Sequence, residues 1–368
     1  MQINQTNTET SRILIVGQRA RKLEKEENTP FLMLHRGVNA VVNIDIQEIA
    51  SQIDFNSTDI QVYPGTAGKE KLRRVISDTY FKGKADPENI LITPGGVSGL
   101  DITFQNIQVN GIALPNFFWG SYAQLARLRR IGLNSYPNLQ TVIKYPHKYT
   151  NQLVIISDPG NPLGEKNPDS DIFNVLERLY TENIPVLIDS PYRRVFFGEN
   201  DDLHERLLEF PNVIIVDSFS KSMGLSGQRI GFLHCQDETF LKEAKQRLLY
   251  ASNGVNAFAQ ELVYTLLSTP EGKSAVKEFK TKTAQAIAKN INFLINNELL
   301  STEFYKNSKP MGIFASINRN EEELLANKIS AVSMTYFSLE PKKHQDHSRI
   351  CVSVPHNDFV KYLNPLVR

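Results

Sequence analysis

Residues 218–231 read Ser-Phe-Ser-Lys-Ser-Met-Gly-Leu-Ser-Gly-Gln-Arg-Ile-Gly. Two hydroxyls, Ser218 and Ser220, flank Phe219, Lys221 follows directly, and Arg229 comes eight positions later. The string follows an apolar run at 212–217 that reads as a buried strand, which puts the lysine at a strand end. There its amine is partly desolvated. Desolvation and a nearby cation lower a lysine's pKa and make it nucleophilic toward an aldehyde. Ser218, Ser220 and Arg229 offer hydroxyl and guanidinium donors suited to a phosphate. An aldehyde and a phosphate on one ligand describe pyridoxal 5′-phosphate (PLP).

The same stretch resembles the PLP attachment site of class I and II aminotransferases, the fold-type I PLP enzymes. Their pattern of small, apolar, small, Lys, then spaced small and apolar positions around an Arg is met at every constrained position. The resemblance implies that Lys221 forms the internal aldimine and that Ser218, Ser220 and Arg229 hold the phosphate. Asp189-Ser-Pro-Tyr192 resembles the family's Asp-x-x-Tyr at a strand end. It implies Asp189 against the pyridine nitrogen, where a carboxylate keeps the ring protonated and electron-accepting, and Tyr192 on the phenolic oxygen. Asp158-Pro-Gly-Asn-Pro-Leu-Gly164 is similar to the family's Asn-Pro-x-Asn-Pro-Thr-Gly loop but departs from it at Asp158 and Leu163. Asn161 is then a second donor to the same oxygen.

Pro94-Gly-Gly-Val-Ser-Gly-Leu100 follows a strand and opens a helix, whose free N–H groups, those of Gly96 and Val97, suit a phosphate. Trp119-Gly-Ser-Tyr122 resembles the segment whose aromatic stacks on the cofactor ring, with Phe117 and Phe118 as alternatives to Trp119. Tyr63-Pro-Gly-Thr-Ala-Gly68 is similar to the segment whose tyrosine reaches the neighbouring subunit's cofactor phosphate, which implies a homodimer with shared active sites. Ser348-Arg-Ile-Cys-Val-Ser353 resembles the strand whose arginine, here Arg349, binds the substrate α-carboxylate in bidentate fashion. The segment Leu34-His-Arg-Gly37 is expected to line the substrate pocket, with Gly37 among the substrate-binding residues. Arg36 there is read as a surface residue rather than a reader of a second carboxylate. The resemblance runs from about Tyr63 to the C-terminus.

These residues must be positioned by a frame. Short apolar runs at 89–93, 112–115, 153–157, 185–189, 212–217 and 230–234 alternate with amphipathic stretches such as Leu72, Val75, Ile76 and Tyr80. Asp169 or Ser170 is expected to cap the helix whose face is Ile172, Leu176, Leu179 and Tyr180. That alternation predicts an α/β fold with a mostly parallel central sheet flanked by helices, and ligands gather at the carboxyl ends of such strands. The resemblance makes it the fold-type I transferase fold. The expected division is a large PLP-binding domain at 46–255 and a smaller α/β domain from 1–45 and 256–368. Residues 11–27 read as a charge-rich surface stretch, 311–317 and 349–354 as strands, and 321–334 as a helix.

The chain has 368 residues, 41% of them apolar and 22% charged, with 41 Lys and Arg against 40 Asp and Glu. That is the composition of a globular protein of more than one core. A net charge of +1 lowers the expectation of nucleic acid or membrane as a partner. Two cysteines make neither a disulfide framework nor a Cys-rich zinc site, and no metal is expected. The polar residues 1–12 and the lack of a long apolar stretch lead to a cytoplasmic expectation. The expected reaction transfers an amino group between an α-amino acid and a 2-oxo acid. The rivals are a β- or γ-lyase, a racemase or a cyclase on the same fold, and a PLP-sensing regulator.

Overall fold

The computed structural model describes every residue except 4, 199, 307, 341, 342 and 368. Its centre is a seven-stranded sheet. In spatial order the strands are Ile90–Thr93, Gly231–His234, Val213–Ser218, Val186–Asp189, Gln152–Ser157, Gly111–Pro115 and Gly132–Tyr136. Gly231–His234 runs antiparallel to both neighbours and the other pairs are parallel. The inner strands Gln152–Ser157, Val186–Asp189 and Val213–Ser218 are buried on both faces, which is why their sequences are mostly unbroken Val/Ile/Leu runs. The edge strand Gly132–Tyr136 is largely exposed and correspondingly polar.

One core lies on each face of this sheet. The first gathers Ile76, Tyr80, Ile156, Ile188, Ile215 and Phe232; the second gathers Leu100, Tyr122, Ile155, Leu187 and Val216. A third core belongs to a smaller lobe, around the antiparallel strands Val332–Ser333, Ser348–Cys351 and Phe314–Ile317. Past residue 255 the chain first stays with the large sheet. Ala259, Leu262, Val263 and Leu266 join the first large-sheet core, because the helix Ala257–Ser268 lies against the helix Glu70–Phe81, and Val276 of the next helix joins it too. The 27-residue helix Pro270–Asn296 then crosses over, and its Ile287, Ile291 and Leu294 pack in the small lobe.

Three local expectations change. Residues 11–27 form the helix Arg12–Glu26, with Val16, Gly17 and Ala20 buried. The helix expected over 321–334 ends at Ala326, and the following residues enter short strands, Ile329–Ser330 and Val332–Ser333. The helix Asp169–Thr181 has no side-chain cap, since Pro168 holds the N-cap position and Asp169 is already the first helical residue, its carboxylate on Lys166 and Arg193. Among the described residues no helix is long and apolar enough to cross a membrane.

Candidate active site

A cavity of about 340 Å³ opens at the carboxyl ends of the parallel strands, between the sheet and the small lobe. Gly37, Gly96, Val97, Trp119, Asn161, Asp189, Tyr192, Ser218, Ser220, Lys221, Arg229 and Arg349 all line it. Tyr63, Phe117 and Phe118 stand elsewhere; Tyr63 is 80% exposed, beside Val62, Pro64 and the turn at 252–257. Arg36, read as a surface residue, is exposed and also lines the cavity mouth.

One end of the cavity is a cluster of hydrogen-bond donors. The helix Gly96–Asn106 begins there, and its first N–H groups have no acceptor within the helix. Gly95 precedes it at φ 81°, and a Cβ at that position would stand 2.6 Å from the Arg229 guanidinium. Only glycine allows that approach. Ser218 caps the next short turn, with Ser220 N–H donating to its Oγ at 3.2 Å and its own hydroxyl 2.9 Å from Ser220 Oγ. Amides, two hydroxyls and a guanidinium on one point suit a phosphate dianion.

Lys221 lies one step further in. Its ammonium donates to the Gly37 carbonyl. Burial pushes its pKa down to about 8; a contribution from Cys351 opposes that, and the Arg229 and Arg349 charges add to it. The neutral, nucleophilic amine therefore forms at a much lower pH than in a solvated lysine.

Asp189 ends the strand Val186–Asp189 and is buried. Burial raises its pKa to about 7, a hydrogen bond from Tyr122 works against that rise, and Asp217 adds to it. A carboxylate so placed favours a cationic N–H partner. Trp119 lines the same space while Phe118 is packed in the sheet core and Phe117 lies against Phe304 and His344.

Arg349 is buried between the rings of Phe314 and Phe337, with centroids 4.3 and 4.7 Å from its guanidinium carbon. It donates to Asn161 Oδ1 at 3.2 Å and to the His35 carbonyl, while its Nε lacks a partner among the described residues. Burial brings its pKa down to about 10. An arginine in apolar surroundings without a carboxylate against it is suited to receive one. The Asn161 amide points its Nδ2 to the Tyr192 hydroxyl at 3.4 Å.

The residues fit PLP at each point: a phosphate cradle that a Cβ would fill, an amine, an acid, a flat aromatic, and a carboxylate receptor with an orphaned donor. Sequence reasoning did not assign a role to Tyr122, although it stands at the end of the Trp119 motif, one helical turn on. Phe314, Phe337 and the helix residues Ile13 and Leu14 were also missed; the last two line the cavity from the N-terminal segment.

The sequence pattern of aminotransferase class I and II matches residues 38–363. An aspartate aminotransferase of Pyrococcus horikoshii is 28% identical over 237 residues, 59% of this chain and 59% of that protein. A histidinol-phosphate aminotransferase of Christiangramia forsetii is 32% identical over 197 residues, 50% of this chain and 52% of that protein. These alignments span little more than half the length of those relatives. An aspartate aminotransferase single mutant of Thermus thermophilus superposes with a TM-score of 0.86 at 16% identity, over 100% of this chain and 99% of that one, a likeness of fold. The matched stretch contains the cavity's phosphate cradle, Lys221, Asp189 and Arg349, leaving outside only the lining residues Ile13, Leu14, Arg36 and Gly37, and on that ground the chain belongs to the class I and II aminotransferase family.

Proposed function

We propose that this protein is a cytoplasmic, homodimeric PLP-dependent aminotransferase that moves an amino group between an α-amino acid and a 2-oxo acid. The observation that carries the reading is the meeting of Lys221, Asp189 and Arg349 in one cavity beside a phosphate cradle. PLP is the family's cofactor; when bound, it supplies an electron sink for the carbon that loses a proton. Gly96, Val97, Ser218, Ser220 and Arg229 bind its phosphate. Asp189 holds a proton on the pyridine nitrogen. Asn161 and Tyr192 donate to the phenolic oxygen, and Trp119 covers one face of the ring. Lys221 would hold the cofactor's aldehyde through Nζ and, when free, would carry the proton of the substrate Cα as general base and acid. Arg349 orients the substrate through its α-carboxylate, with Gly37 at the same wall. Tyr63 reaches the phosphate in the second subunit, a role supported by its exposure outside the cavity of its own chain.

A half-reaction tests the activity. The holoenzyme is mixed with single amino acids, and absorbance is followed without an acceptor. An aminotransferase accumulates the aminated cofactor stoichiometrically and returns to the starting spectrum on addition of a 2-oxo acid. Steady release of ammonia or thiol without an acceptor would mean a lyase instead.

A further inference from the structure

Asp158 replaces an asparagine of the family's loop pattern, and the fold gives that acid a partner. Its side chain is fully buried, and Oδ2 accepts from Arg193 Nη1 at 2.8 Å. Oδ1 accepts from the backbone N–H of Asn167 at 2.7 Å and from its side-chain amide at 3.4 Å. The Arg193 guanidinium, 1% exposed, also donates to Asp201 at 2.6–3.0 Å and to Asp169 at 3.2 Å, and lies over Phe197. Lys166 reaches Asp169 at 2.8 Å from the other side. One arginine thus joins three carboxylates from three segments of chain.

Neither Asp158 nor Arg193 lines the cavity, yet each adjoins a residue that does. Asp158 opens the loop that delivers Asn161 three residues later, and Arg193 directly follows Tyr192. The strands that carry them are neighbours, with Ser157 in register with Asp189 and Asp158 N–H donating to the Asp189 carbonyl at 3.2 Å. Asn161 and Tyr192 meet at 3.4 Å. A buried pair is a poor source of stability, since its desolvation offsets most of its attraction and apolar residues of like volume do as well. What such a pair does supply is fixed geometry between the two segments it joins.

We infer that Asp158 and Arg193 are a positioning pair that holds Asn161 and Tyr192 on the cofactor's phenolic oxygen and so sets the pH at which the cofactor's visible band titrates. The inference rests on the cofactor assignment proposed above. Both donors favour the ionised oxygen. Loosening them raises the ionisation midpoint by about one pH unit, the size expected for a hydrogen bond to a charged group.

The test titrates the visible absorption band of the holoenzyme between pH 5 and 10 in the wild type, Asp158→Asn, Arg193→Gln and the double variant. The melting temperature of each cofactor-free protein is measured alongside. Each single variant is expected to move the midpoint up by about one unit, and the double variant no further, because the two residues act as one device. Should a polar variant fail to fold, Asp158→Glu, which keeps the charge and displaces the carboxylate by one methylene, is expected to move the midpoint in the same direction. Midpoints that stay with the wild type while melting temperatures fall would overturn the inference and leave a merely structural ion pair. Shifts that add in the double variant would also overturn it. A wild type with no visible band sinks the cofactor assignment and this inference with it; a wild-type band with unmoved variants sinks this inference alone.

Discussion

Tyr122, one turn into the helix Gly120–Arg129, donates its hydroxyl proton to the carboxylate of Asp189 across the floor of the cavity. Both groups are buried, and this hydrogen bond opposes the rise in the Asp189 pKa that burial causes. Tyr122 therefore helps to keep the acid ionised, the form that pairs with a pyridinium. A hydrogen bond to a charged group is worth about 1.5–3 kcal/mol, so Tyr122→Phe should lower kcat by about 10- to 100-fold, with cofactor retained through its phosphate. Unchanged kcat in this variant would remove Tyr122 from the account.

Asp189 also leaves a signature in stability. Its carboxyl ionises near pH 7 in the folded chain, against about 4 in an unfolded one. Between those values the folded state keeps a proton that the unfolded state has lost. This group therefore makes stability fall as pH rises from about 4 to about 7, by on the order of a few kcal/mol, and adds nothing more above that. Asp189→Asn should flatten that part of the profile for cofactor-free protein in chemical unfolding, and should abolish most turnover. A slope that persists unchanged in the variant would contradict the placement of the proton.

Lys221 is expected to carry the cofactor. Borohydride reduction followed by peptide mapping should find the pyridoxyl group on this lysine and no other. Lys221→Ala should still bind cofactor noncovalently and lose turnover by orders of magnitude, because the covalent link and the proton carrier go together.

On the proposed role of Arg349, Arg349→Ala removes one partner of a desolvated charge pair, a change that costs about 2–5 kcal/mol. That is roughly 30- to several-thousand-fold in kcat/KM, expected for every α-amino acid tested. The resting visible spectrum should stay nearly as it was. Loss of the cofactor instead would place Arg349 outside the carboxylate site.

Tyr63 gives a test of shared sites. Lys221→Ala and Tyr63→Ala chains, each of low activity alone, are mixed and allowed to exchange subunits. A mixed dimer contains one site with an intact lysine and an intact tyrosine, so activity should reappear well above the sum of the two separate preparations. No recovery after proven exchange would mean that Tyr63 serves no neighbouring site.

The inner strands were legible because burial on both faces demands unbroken apolar runs, as at residues 153–157 and 186–189. The edge strand Gly132–Tyr136 gave no such signal, since only Tyr136 of its five residues is buried. Lys221, Asp189 and Arg349 could be named because each stands in a local string at a strand end or on a strand. Arg193 could not: its three carboxylates lie 8, 24 and 35 positions away and meet only in the fold. The helix Arg12–Glu26 looked like charged surface because its buried face is small, Val16, Gly17 and Ala20, with Gly17 pressed against the His35 ring.

The short arm around residues 34–40 runs beside the strand Ser348–Cys351, with Cys351 N–H on the Leu34 carbonyl and Ala40 N–H on that of Ser353. Two of its carbonyls, those of His35 and Gly37, accept from Arg349 and Lys221. On the proposed reading of Arg349, an incoming carboxylate competes with a neutral acceptor that belongs to the chain, and its net gain is the difference between two bonds to the same guanidinium. Departure runs as the reverse exchange, so a leaving product does not strand a bare cation in apolar surroundings. A transfer in two halves needs two departures per cycle. On the proposed reaction the arm thus lowers the affinity for either acid, which leaves binding energy for the transition state rather than for the ground state.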